Sequence, residues 1–552
     1  MRNGVSEMKK SKRSLALLLA IVAVYSVWGG AIRVSAADHC ANTPVILVQG
    51  YKALCVRGAD GSVTYPIDGD GDSEVTAETV KELVPDLVKA IATNDYDAYC
   101  EKAYQSVSKI YADISPNPDG TQKPNTGIDW SWSPATVPAY HDGATYYNYK
   151  FDIRRDPLEI ADDLNAYIET VKEKTGHDQV VLASRCIGTN VALAYLYKYQ
   201  KPVDYAGIKR SLVIYGGLGG FTHLEHILSG TVALNDEGLF YFSKSGLSGN
   251  LSDFDGFGGT ELGSILLEVI DVLRTVHGLN VTCELVNKIY DKVKDKFIAR
   301  VLKDYYGTSL THISAIVDNY EAYKNYIFQE PGDLEKYAAI IEKADYYHYN
   351  VQPLRSEILK KMDAMGKEVY FISDYGDQAA PISEESNLIG DSYTTFFRQT
   401  LGATGSKVAG TLSAAYIRTQ ENKGLGKYIS PDRQADLSTA LFPDRTWVIK
   451  NLHHTTDMPS LDAMIFTLAH TAGATVDTLE AYPQFLCRTT GDEIVSAQEK
   501  NESDTDWAEI DRSSTEGAVS FFKRAIDYIL TFVKKMMYYV SGEWMRDLLL
   551  NR

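Results

Sequence analysis

The sequence predicts an α/β fold: a mostly parallel sheet with an inserted, mainly helical cap and a C-terminal amphipathic helix. Three observations predict it. Short runs that are apolar throughout, such as Val45-Ile46-Leu47-Val48, read as strands covered on both faces, which is how parallel strands present themselves. Segments of helical periodicity alternate with those runs, the pattern of strand–helix–strand units. Between the apolar runs at Ser211 and Val369 the chain reads as helical almost throughout.

The first residues do not belong to that fold. Arg2, Lys9, Lys10, Lys12 and Arg13 precede an apolar run from Leu15 to Trp28, and Val34-Ser35-Ala36 offers small residues for cleavage, so residues 1–36 read as a signal peptide. The run is shorter than the roughly 20 apolar residues a membrane-spanning helix needs. The expected location is outside the cell or at its envelope. Removing the segment takes away six basic residues and one acid and moves the net charge from -18 to -23. A body that acidic repels nucleic acid, so no nucleic-acid partner is expected. The six cysteines (Cys40, Cys55, Cys100, Cys186, Cys283 and Cys487) are too few for a disulfide-built scaffold and show no C-x-x-C spacing for zinc. Cys40 with Cys55 is the one bridge expected.

The sheet core is expected over residues 37–220 and again over 366–498. Pro44 to Val48 is a strand running into the turn Gln49-Gly50-Tyr51. Tyr147 to Asp152 is another, followed by a helix with Leu164, Ile168 and Val171 on one face and Gly176 as its stop. Gln179 to Ala183 is a third strand, entering a helix near Gly188. Ser211–Tyr215, Val369–Ser373 and Thr446–Lys450 complete the set.

The insertion, residues 221–365, places Leu262, Leu266, Val269 and Leu273 on one helix face and Leu285, Ile289, Val293 and Phe297 on another. Tyr305, Tyr306, Tyr320, Tyr323, Tyr326, Tyr346, Tyr347 and Tyr349 crowd the remainder. An insertion here sits over the carboxyl ends of the strands, where open sheets bind ligands, so it is either a cap shaping an aromatic cleft or a packing unit. Residues 499–514 form a polar linker, and 515–552 an amphipathic helix with Val519, Phe522, Ile526, Leu530, Val533, Met537 and Val540 on one stripe. Lys523, Arg524, Lys534 and Lys535 flank that stripe, so the helix either docks on the body or makes peripheral contact with a membrane.

Chemistry concentrates at Ser184-Arg185-Cys186-Ile187-Gly188, between a strand and a helix. Small residues two before and two after a central side chain are what the tight turn of a nucleophile elbow demands. Serine is the usual occupant, and cysteine is competent because its thiolate is a strong nucleophile. A buried structural cysteine is the other reading. Acyl transfer also needs donors aimed at an oxyanion: the backbone N–H of Ile187, just after the nucleophile, and that of Tyr51, in the turn after the first strand.

Taken in order, these segments make the chain resemble an α/β-hydrolase of the lecithin:cholesterol acyltransferase and bacterial lipase type. Pro44-Val45-Ile46-Leu47-Val48-Gln49-Gly50 resembles that family's strand and oxyanion turn, with Gln49 where histidine or proline is usual. Phe151-Asp152-Ile153-Arg154 resembles its Tyr-Asp-Trp-Arg segment. The elbow follows, its cysteine similar to that of dienelactone hydrolases, and then the insertion. Trp447-Val448-Ile449-Lys450-Asn451-Leu452-His453-His454 is similar to a last strand running into the catalytic histidine. The resemblance spans most of residues 43–490.

That resemblance implies a triad in the order nucleophile, acid, histidine. Asp391 matches the family's acid, placed after an intervening loop; Asp377, directly after its strand, is the alternative. His454 is the expected base and His453 its alternative. No metal and no cofactor are expected. His223 and His226 stand at metal-ligand spacing without a third ligand, and the alternating acids Asp68, Asp70, Asp72 and Glu74 lack a glutamate at position twelve, so they read as a solvated turn. The implied function is a secreted acyl-ester or thioester hydrolase or acyltransferase acting on a small or lipid-like acyl substrate through a thioester at Cys186. The alternative is a binding protein that kept this fold with weakened chemistry.

Overall fold

The apolar runs become strands because their two faces are buried by different layers. The structure is a computed structural model that describes residues 41–51, 54–57, 63–65, 71–128, 131–138, 145–249, 277–377, 379–408, 410–452, 454, 458–489 and 491–497. Its main sheet has eight strands: β1 (Val45–Val48), β2 (Tyr146–Tyr149), β3 (Val180–Arg185), β4 (Ile208–Ile214), β5 (Val369–Tyr375), β6 (Thr446–Lys450), β7 (Phe485–Arg488) and β8 (Ile494–Ser496). Their spatial order is β8-β7-β6-β5-β4-β3-β1-β2. Every pairing is parallel except β7 with β8. The chain thus has the α/β architecture expected, with helices on both sides of the sheet.

Alternation within the strands divides the core in two. Ile46, Val48, Val180 and Leu182 face one layer, and Val45, Leu47, Val181 and Ala183 the other. The first layer is α1 (Pro157–Thr175) and α2 (Gly188–Tyr195), with Ile160, Leu164, Ile168 and Val171 of α1 buried on the sheet. The second is α3 (Pro459–His470), through Leu461, Met464, Ile465 and Leu468. Each such side chain contributes about 1.5–3 kcal/mol by leaving water. Helix α1 starts and stops where its sequence dictates: the Asp156 carboxylate accepts from Leu158 N at 2.9 Å, and Gly176 closes it in the left-handed region at φ 70°.

Several boundaries differ from the sequence expectation. β2 ends at Tyr149 rather than Asp152, because Asp152 leaves the ladder to bind Arg154, accepting from its Nε at 2.9 Å and its Nη2 at 2.6 Å. Arg154 is wholly buried, and its Nη1 also donates to the Ile114 carbonyl at 2.8 Å and to Thr126 Oγ1 at 3.1 Å. The carbonyls of Ile153 and Arg154 accept from Thr311 and Leu310 N–H at 3.2 and 3.0 Å, which fastens the insertion to the core. β3 runs on to Arg185 and β5 to Tyr375, each two residues beyond the expected end.

Within the insertion, helix Gly278–Val293 buries Leu279, Cys283, Tyr290 and Val293. Leu285, expected on the buried stripe, is 51 % exposed. Ile289, Val293 and Phe297 keep the stripe, packing with Leu83 and Tyr99, but Leu285 falls off it because the start of the helix packs elsewhere, Leu279 and Cys283 against Leu234, Leu239 and Phe240. A widened π-turn over Lys294–Ile298 follows and contains Phe297. Six of the eight tyrosines are buried, five of them in a core that the insertion shares with Val107, Tyr111 and Ile114 and Tyr347 in the sheet's core, while Tyr346 and Tyr349 are exposed.

Asp72 and Glu74 lie in helix Gly71–Thr93 rather than in a turn, since Leu83 and Ala90 farther along it are buried and acids suit a helix start. The signal peptide, linker, C-terminal helix, the face from Leu262 to Leu273, Asp68, Asp70, Cys40 and His453 lie outside the described residues. Among the described residues no helix is long and apolar enough to cross a membrane.

The close approach of α2 to β1 rests on one glycine. A Cβ on Gly188 would press on the carbonyl oxygens of Gln49 and, at 2.8 Å, Val48, which are backbone atoms that cannot swing away. Gly188→Ala should therefore cost about 1–3 kcal/mol in denaturant unfolding; an unchanged midpoint would show that the two segments can separate freely.

Candidate active site

Three strands of the sheet, β3, β5 and β6, deliver the expected residues to one place. β3 ends at Arg185, and Cys186 follows at φ 51°, a left-handed conformation that side chains adopt only under constraint. Its N–H donates to the Ile214 carbonyl of β4 at 3.2 Å, and its own carbonyl accepts from Thr189 Oγ1 at 2.7 Å and Gly217 N at 3.2 Å. The chain turns at once into α2. Cys186 carries a free thiol and is partly exposed, unlike Cys100, Cys283 and Cys487, which are buried. Gly50 lies against it: a Cβ there would stand 2.9 Å from the Cys186 Cβ.

The loop after β5 carries both candidate acids. Asp377 is half-buried, and its N–H donates to the Gly390 carbonyl at 3.2 Å, which draws the loop back so that Asp391 lies beside the strand end. Asp391 is 1 % exposed; its Oδ1 accepts from Tyr393 N at 3.0 Å and Thr394 N at 2.8 Å, and its Oδ2 meets His454 Nδ1. The structure thus brings Asp391, and not Asp377, to the histidine. His454 follows β6, buried at 3 % exposure.

Burial pushes the His454 imidazole down, but the charges of Asp391 and Cys186 outweigh it and hold the ring well above its ordinary value. The Cys186 thiol acts on the ring at this short range, yet Nε2 has no well-formed hydrogen bond to any described residue. Contacts of that kind commonly tighten only when a substrate closes the site.

Aromatic rings fix the imidazole plane. Tyr393 stacks on it with centroids 4.5 Å apart, Tyr215 tilts against it at 5.0 Å and Phe221 meets it edge-on at 5.8 Å. His223 stands beyond Tyr393, their centroids 5.3 Å apart, and burial pushes it down to about 4, so it stays neutral. His226 bonds to Thr231 Oγ1 at 2.9 Å. None of these rings was singled out by sequence as part of the site; only their place beside strand ends could have suggested it. A second missed group, Asp374, is the penultimate residue of β5, and an acid in an otherwise buried strand was its available signal.

The backbone N–H groups of Ile187 and Tyr51, the expected oxyanion donors, bond to no described backbone carbonyl. The Tyr51 ring stacks on His312 at 6.2 Å, its hydroxyl stands 3.5 Å from that of Tyr305, and burial raises its phenol above the ordinary value. His312 itself is pushed by burial to about 3.

With its acid removed, His454 should keep only Cys186 to oppose burial. In Asp391→Asn the imidazole titration read by NMR should fall from its raised value; an unchanged midpoint would mean that Asp391 does not hold the proton. Because the folded value is raised, the ring's contribution to stability is complete below its unfolded value and is lost as pH rises through the folded one. The chain matches no protein-family model, and no curated protein is significantly similar to it.

Proposed function

We propose that this chain is an α/β-hydrolase-fold enzyme that hydrolyses or transfers acyl groups from esters or thioesters through Cys186, His454 and Asp391. The observation that carries the reading is the left-handed Cys186 at the β3–α2 junction with the Asp391–His454 pair beside it. A strand–turn–helix with a strained nucleophile, an acid after one later strand and a histidine after the next is the order this chemistry uses. The helical insertion between β4 and β5 serves as its cap.

In this mechanism the Cys186 sulfur attacks the acyl carbonyl while His454 Nε2 holds the thiol proton. The tetrahedral oxyanion receives the N–H groups of Ile187 and Tyr51. Collapse breaks the bond to the leaving alcohol or thiol, which takes the proton from His454, and a thioester remains on Cys186. Water, or an acceptor alcohol, then loses a proton to His454 and attacks the thioester, freeing the sulfur. Asp391 keeps Nδ1 protonated and the ring aligned throughout. The substrate is a small or lipid-like acyl compound. Export rests on the basic and apolar N-terminus, and membrane contact on the C-terminal stripe.

The alternative, a binding protein with weakened chemistry, draws on the open Nε2 of His454. Intact-mass measurement after exposure to nitrophenyl esters and aryl thioesters separates the two. The enzyme reading expects an acyl adduct on Cys186 that Cys186→Ala lacks while melting as before. His454→Ala should slow adduct formation about 10²- to 10⁴-fold. An adduct surviving Cys186→Ala, or none on the unaltered protein, would sink the proposal.

A further inference from the structure

The penultimate residue of β5 is an acid that the mechanism above leaves unused. Asp374 is fully buried, and its main chain is clamped by one side chain: its N–H donates to Gln399 Oε1 at 3.0 Å and its carbonyl accepts from Gln399 Nε2 at 3.0 Å. So anchored, the carboxyl group cannot swing to solvent. Neither of its oxygens accepts an N–H or O–H with good geometry from any described residue. The ionisable groups facing it are Asp391, within hydrogen-bonding reach, together with His454 and Asp377.

Asp391 has what Asp374 lacks. Two backbone N–H groups and the His454 ring all point at its carboxylate. Two carboxyl groups in contact inside a protein do not both ionise. The one supplied with donors carries the charge, and the one without keeps a proton, since a buried carboxylate lacking donors is very costly. Burial first, and then the charge of Asp391, push Asp374 well above the usual carboxylate range, against an opposing pull from His454.

We infer that Asp374 is a neutral carboxylic acid whose O–H donates to Asp391, making it a positioning residue behind the triad. As a role in catalysis this rests on reading Cys186, His454 and Asp391 as that triad. The neutral form has a specific use. A proton on Asp374 orients the Asp391 carboxylate without adding charge, whereas a second anion would hold the proton on His454 and hinder its transfer to the leaving group.

The test compares Asp374→Asn, which keeps a neutral donor of the same shape, with Asp374→Ala, which removes it. Asp374 holds its proton in the folded state above its unfolded pKa, so its stabilising contribution is complete below that value and is lost as pH rises. Asparagine has no proton to lose. The melting temperature of Asp374→Asn should therefore gain on the native protein as pH rises from about pH 4. A constant difference overturns the protonation. In the burst of nitrophenol from a nitrophenyl ester, Asp374→Asn should stay within about 3-fold of native while Asp374→Ala loses about 10-fold or more. Equal losses in the two variants, or none in either, overturn the positioning role. A native protein giving no burst overturns the enzyme reading instead, and the melting comparison then decides on its own whether Asp374 holds the proton.

Discussion

Everything at the site depends on a backbone constraint at the end of β3. Cys186 occupies a left-handed conformation, and the turn it makes is so tight that α2 begins on the carbonyl oxygens of Val48 and Gln49. Glycine at 50 and at 188 is what allows that approach. Strain at a non-glycine residue costs about 1–3 kcal/mol and persists only where surrounding structure fixes it. Here it is fixed by a hydrogen bond to the Ile214 carbonyl and by others from Thr189 and Gly217, so the sheet and helix together hold the thiol at the strand end.

Around that turn, buried charge ties the separate chain segments into one arrangement. Arg154 binds Asp152 and reaches back to Ile114 and Thr126. On the far side Arg398, 4 % exposed, pairs with Glu225 at the start of the insertion and with Glu385 in the loop carrying Asp391. Thr394, three residues beyond Asp391, donates to the Gly220 carbonyl at 2.7 Å. Buried ion pairs contribute little net stability against an apolar replacement, but removing one partner is costly. Their effect here is to set where the acid's loop and the insertion meet, next to His454.

How much of this could be read from the chain varies with the physics involved. The strands were legible because burial on both faces leaves an unbroken apolar run, as in Val45 to Val48. Cys186 was legible because a tight turn imposes small neighbours at fixed spacing. Asp391 was preferred over Asp377 only by likeness to a family, since what selects it is a loop closed by the Asp377–Gly390 backbone bond. Asp374 was missed because the strand was expected to stop at Ser373, one residue short of it. The helix face at Leu285 failed for another reason. Periodicity assumes a single partner along a helix, and this one has two. The rings of Tyr215, Phe221 and Tyr393 meet only through the fold, and no local pattern encodes that encounter.

The thiols of Cys100, Cys186, Cys283 and Cys487 differ sharply in access. Burial pushes the Cys100 and Cys283 thiols up to about 11, and Cys487 is enclosed in the core, whereas Cys186 is partly open. Electrophiles react with the thiolate, so the two perturbed thiols are almost inert at neutral pH. Among these four, a soft reagent added to the folded protein meets one accessible sulfur, at the junction of strand and helix. The fold thereby supplies its own attachment point for a fluorophore or spin label, seated where any motion of the helical insertion relative to the sheet would be registered.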